Sequence, residues 1–178
     1  MLRASSQFAD VTAGVVYIHS SPAALCPHIE WALASALGAP AQLRWTAQPA
    51  AAGQLRATSE WIGPVGTASR IAQALRSWPV LRFEVTEDPS EGVDGERYSF
   101  VPDLGLWHGS ISANGDVMIG EMRLRGMLRT ARELDKYSSY DLAAEIDRAL
   151  GTAWDEDLEL YRPGSEGAEI TWLRREVG

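Results

Sequence analysis

The chain has 178 residues, 46% hydrophobic and 22% charged, which suffices for one packed domain without disulfide or metal staples. Its net charge of −8, with no basic run, argues against nucleic acid or an anionic membrane as a direct partner. Cys26 is the only cysteine, which excludes an intrachain disulfide; no secretory signal or bilayer-length apolar run is present, and a cytoplasmic chain is expected.

Val15-Val-Tyr-Ile-His19 is β-branched and aromatic and reads as a strand. Ser21-Pro22 offers a helix start, Pro27 restarts or kinks that helix, and Gly38 stops it. Leu43, Trp45 and Ala47 alternate, as do Leu55, Ala57 and Trp61, around a Pro49–Gly53 turn, so a hairpin follows. Beyond the loop Gly63-Pro-Val-Gly-Thr67, residues Ala68, Ile71, Ala72, Leu75 and Trp78 share one helix face. Leu81, Phe83 and Val85 then alternate with Arg82, Glu84 and Thr86 as a half-buried strand. To this point the order is β-α-β-β-α-β, the split arrangement of ferredoxin-like domains.

The acidic, turn-rich stretch from Glu87 to Gly95 reads as a linker or loop. Strands are expected over Tyr98–Val101, Leu104–Ile111 and Val117–Arg125, with Asn114-Gly115 as a hairpin turn. Gly126–Tyr137 is charged, and helical or loop-like. Ser138-Ser139 offers an N-cap to a helix ending at Gly151, and an alternating hairpin through Leu158, Leu160 and Glu169–Arg174 closes the chain. That last stretch echoes an earlier one. At one constant offset Ile29 falls on Leu142, Leu33 on Ile146 and Ala36-Leu37-Gly38 on Ala149-Leu150-Gly151. Two readings stay open: a duplicated α-β-hairpin unit, or two ordinary amphipathic helices that both end in Leu-Gly. The expected architecture is α+β, an antiparallel sheet with about three helices. It forms one pseudo-symmetric domain over residues 1–178, with sub-units of roughly 11–90 and 96–178.

Few residues point to chemistry. The loop Gly63, Pro64, Val65, Gly66, Thr67 opens onto a helix N-terminus, where free N–H groups and the helix dipole can hold an anion, with Arg70 one turn inside. The same residues also read as a tight turn with Thr67 as N-cap. Cys26, near a helix start, reads as a buried structural thiol or a reactive one. Glu84, Glu87, Asp88 and Asp94 offer hard oxygen ligands or a solvated acidic loop. Glu121 suits a general base or an ion pair with Arg123 or Arg125. His19, His28 and His108 lack ligand spacing. No catalytic residues, metal or cofactor are assigned. Seven tryptophans are many for this length and read as large core anchors or as contacts on a partner surface, and Trp61, Trp107 and Trp154 are the candidate contacts to a protein partner or a second copy.

Four strings carry a resemblance: Ser21–Leu33, Trp61–Thr67, Leu81–Pro89 and Gly115–Arg125. Gly151-Thr-Ala-Trp-Asp155 and Val177-Gly178 fit with them. Together they resemble an uncharacterised actinobacterial-type family, a domain of unknown function. Leu128–Tyr137 departs most from its pattern. The resemblance implies no catalytic residue or cofactor. Members are sometimes encoded near type II fatty-acid synthesis genes, so it implies a link to acyl-chain metabolism. The expected function is a non-catalytic accessory or regulatory binding protein of cytoplasmic metabolism. The alternative is a protein or enzyme that binds an anionic small molecule, acyl-CoA-like or phosphate-bearing, at the Gly63–Thr67 loop.

Overall fold

In the computed structural model, residues 11–134 and 141–163 are described. One seven-stranded antiparallel sheet carries the fold, in the order β2-β3-β1-β4-β5-β6-β7. The strands are β1 (Val11–Pro22), β2 (Thr46–Ala47), β3 (Gln54–Pro64), β4 (Arg82–Glu87), β5 (Gly95–Val101), β6 (Gly105–Ile111) and β7 (Val117–Met118). The helices are α1 (Cys26–Leu37), α2 (Thr67–Leu75), α3 (Glu121–Leu134), α4 (Leu142–Leu150) and α5 (Thr152–Glu159). The run β2-β3-β1-β4 is the order that a split β-α-β-β-α-β arrangement gives. A β4–β5–β6–β7 meander then widens the sheet from the β4 edge.

Strand alternation decides which residues meet the helices. Val16 and Ile18 of β1 pair across with Val85 and Phe83 of β4, and all four lie on the first face. There α1 and α2 cover them with Ile29, Leu33, Ile71 and Leu75, which are all fully buried. Burying side chains of this size contributes about 1.5–3 kcal/mol each. Pro27 falls in the first turn of α1, where a missing N–H costs nothing, and Gly38 ends the helix at φ 67°. Gly14 is required for a different reason. A Cβ there would collide with the Thr86 carbonyl and stand 2.5 Å from the Trp61 ring, so glycine lets that indole lie on β1.

The expected α+β class with an antiparallel sheet holds, but the described residues form five helices where about three were expected. Val117–Arg125 is not one strand. It gives the two-residue β7, and α3 then begins at Glu121. Arg123 and Arg125 alternate as a strand would, but the pair that forms is the helical i,i+4 one between Glu121 and Arg125 at 2.7 Å. The segment after Gly151 is also no strand. Leu158 and Leu160 belong to α5 and its C-cap, and the echo with the first unit stops at the glycine. Leu33 is fully buried, whereas Ile146 is half-buried. The helix α4 is capped by Asp141, whose carboxylate accepts from the amides of Ala143 and Ala144. Ser138-Ser139 and the hairpin over Glu169–Arg174 lie outside the described residues.

Candidate functional site

The second face of the sheet is polar where the first is apolar. Cross-strand pairing puts Val15 beside Thr86, Tyr17 beside Glu84, and Thr86 beside Arg97. At one end α5 and the residues just after it pack over this face. Arg82 of β4 grips Asp157 of α5 at 2.7 Å. The indole of Trp154 donates to the Gly105 carbonyl at 2.9 Å. Trp107 donates to the Arg148 carbonyl at 3.0 Å and leaves no room for a Cβ on Gly151, which bends the chain between α4 and α5 at φ 80°.

Under this cover lies Glu84, which is 2% exposed. Arg162 clasps its carboxylate with Nε at 3.1 Å and Nη2 at 2.7 Å. His19 Nε2 lies 2.6 Å from the same carboxylate, and Arg97 Nη2 lies 3.0 Å from it. Asp155 of α5 closes the network, accepting from both Arg162 and Arg97. Burial alone would raise the Glu84 pKa. The hydrogen bonds and charges of His19 and Arg162 outweigh it and hold the carboxyl well below the usual carboxylate range. Burial likewise opposes the Arg162 charge, while Glu84 and Asp155 hold its pKa above the ordinary guanidinium value. The backbone of this corner is tied by Gln48, whose amide donates to the carbonyls of His19 and Tyr161. Register shifts in β1 just beyond Ile18, so His19 sits at a bulge.

Beside the network the face opens into a cleft of about 440 Å³. Val15, Tyr17, Pro89 and Ile111 give it apolar walls, and Arg97, Arg162, Glu84 and Asp155 form its inner end. The β6–β7 turn, held by the Ser112, Asn114 and Asp116 side chains, forms one rim. This size suits a small organic ligand. His19 is 3% exposed and stacks on Tyr17 rather than lining the cleft.

The loop Gly63–Thr67 meets α2 as expected, but its geometry contains its own anion. The carboxylate of Glu87, 3% exposed, accepts from the Gly66 amide at 2.7 Å and the Ala68 amide at 2.9 Å. Gly66, at φ 88°, is the N-cap, and Thr67 is the first helical residue, donating its hydroxyl to the Pro64 carbonyl at 2.6 Å. Arg70 donates to the Thr67 hydroxyl at 2.8 Å. Val65 is exposed. Glu87 could have been found in the sequence, since it continues the 81-83-85 parity that faces the helices.

The other candidates separate. Glu84 and Glu87 point to opposite faces of β4, so they share no cation. Among the described residues no group of three or more His, Cys, Asp and Glu side chains could hold a metal ion. Cys26 is buried, its thiol pKa is raised first by that burial, and its Sγ lies 3.8 Å from the Pro22 carbonyl. Glu121 is exposed on α3. His108 is half-exposed and stacks on Tyr98, whose phenol is pushed up to about 12, first by burial. Trp61 and Trp107 are buried and Trp154 is half-buried on a backbone carbonyl, so none is a free contact surface. Among the described residues the tryptophan that faces solvent is Trp31, 70% exposed.

No described helix is long and apolar enough to cross a membrane. The family described as protein of unknown function (DUF3145) matches residues 15–175, which takes in the cleft, the Glu84 network and all of the sheet but the first four residues of β1. Neither a curated protein nor a solved structure matches the chain.

Proposed function

For a chain that belongs to the DUF3145 family, we propose a non-catalytic binding protein whose site is the cleft on the second face of the sheet. The observation that carries this reading is the full commitment of the polar groups at the inner end. Glu84 is bound by His19, Arg97 and Arg162, and Asp155 by both arginines. A carboxylate held this far below its usual range is a poor general base, and it has no proton to give as an acid. The network therefore supports the cleft's shape, and the cleft offers apolar wall and volume.

The proposal keeps the accessory or regulatory role in metabolism expected from the sequence, with its implied link to acyl chains. An anion site at Gly63–Thr67 has less support, because Glu87 already takes the two amides an external anion would use.

A thermal-shift screen of small ligands against the wild type and Ala113→Trp tests the reading. Ala113 is exposed on the rim, so the indole would fill the cleft without entering the core. Ligands that stabilise the wild type should lose their effect in the variant. Equal stabilisation of both proteins, or steady turnover of a bound ligand, would overturn the proposal.

A further inference from the structure

Resting on that reading, we infer that the cleft takes a cationic ligand, an ammonium on a small apolar body. The argument is one of unbalanced charge. Three carboxylates, Glu84, Asp88 and Asp155, and two guanidiniums, Arg97 and Arg162, line the cleft. At the inner end the charges cancel in contact: Arg162 reaches Glu84 at 2.7 Å and Asp155 at 2.6 Å, and Arg97 holds the same two acids. An added anion there would have to compete with two carboxylates already in place. Arg97 is committed there as well, its guanidinium lying 5.6 Å from the centre of the Trp107 ring.

The outer end has no such balance. Asp88 is exposed, and its hydrogen bonds are backbone ones: its amide donates to the Ala13 carbonyl and its carbonyl accepts from the Thr12 hydroxyl. No cation pairs with its carboxylate among the described residues. A second hollow of about 540 Å³ adjoins this end, shares Val15 and Asp88 with the cleft, and adds Glu60. Tyr17 lies across from Glu84, at the inner end. Its phenol pKa is raised first by burial and then by Glu84, Glu60 and Asp88, so the negative field reaches the ring. The chain's net charge of −8 adds long-range attraction of the same sign. Val15, Pro89 and Ile111 supply the surface for the ligand's apolar part.

Three probes of one shape separate the possibilities: hexylammonium, hexanol and hexanoate. Each is titrated into the ¹⁵N-labelled full chain while amide shifts are followed at residues 84–89 and 111–115. Hexylammonium should bind tightest, and Asp88→Asn should weaken it by roughly fivefold, the scale of one exposed charge pair, while leaving hexanol unchanged. Ala113→Trp should abolish binding of all three. Hexanoate or hexanol binding as tightly as hexylammonium would overturn the ligand class and leave the cleft as the site. No shift at these residues with any probe, or shifts that persist in Ala113→Trp, would overturn the site and the ligand class together.

Discussion

Glu84→Gln removes one negative charge from the centre of the network and leaves its shape nearly intact. The carboxylate accepts from Arg162 at 3.1 and 2.7 Å, faces His19 at 2.6 Å, and faces Arg97 at 3.0 Å. Charge-assisted bonds contribute about 1.5–3 kcal/mol each, so simple addition would give a loss near 6 kcal/mol or more. Addition overshoots here, because glutamine keeps one acceptor oxygen and Arg97 and Arg162 keep Asp155. Breaking a buried pair from one side costs about 3–5 kcal/mol, and that is the expected loss. For a chain of this length it corresponds to a fall in Tm of roughly 6–20 °C. Urea titration and calorimetry would measure it. The sign with pH follows from the lowered pKa. The Glu84 contribution is complete above the unfolded carboxylate value of about 4.3 and is lost as pH falls from there toward the lower folded value. Between pH 6 and pH 3 the wild type should therefore lose stability faster than Glu84→Gln. A cost below about 1 kcal/mol at neutral pH, against the range above, would refute the account, as would parallel pH curves for the two proteins.

Glu87→Ala should cost about 1.5–3 kcal/mol, since the amides of Gly66 and Ala68 lose a charged acceptor. Millimolar sulfate should restore part of that in the variant and not in the wild type, read as a shift in Tm. Gly14→Ala should destabilise by about 3 kcal/mol or more, because neither the Thr86 carbonyl nor the Trp61 ring has room to retreat; urea midpoints would show it. Trp31→Ala should change stability by no more than about 0.5 kcal/mol, and Trp107→Ala should cost about 3–5 kcal/mol in the same denaturation assay.

The half of the chain that forms the ferredoxin-like order was legible because its signals are local. Alternation at Leu81, Phe83 and Val85, helical spacing from Ala68 to Leu75, and Gly38 as a stop each act over a few residues. The strand wrongly expected at Arg123 and Arg125 shows the limit of alternation, since charged residues two apart also fit an exposed helix such as α3. The cleft was less legible. Glu84 sits on the polar parity of its strand, which reads as solvent-facing, and it is buried only because α5 and Arg162 return across it. Its hydrogen bond to Arg162 spans 78 positions, and no short-range pattern reports a pairing of that length. Glu87 was different: an acid on the buried parity, next to a helix start, is a readable sign of an internal cap.

The two faces of the sheet are completed at different times as the chain is made. α1 and α2 are encoded before β4, so the first face has its cover when the central strands pair. The second face waits for α5, near the end of the described chain. In that interval it presents Tyr17, His19, Glu84, Thr86, Arg97 and Ser99, side chains that water can solvate. Val15, Val101, Trp107 and Ile111 lie on the same face, so a half-made molecule exposes a mixed surface in which the apolar groups are interleaved with charged ones.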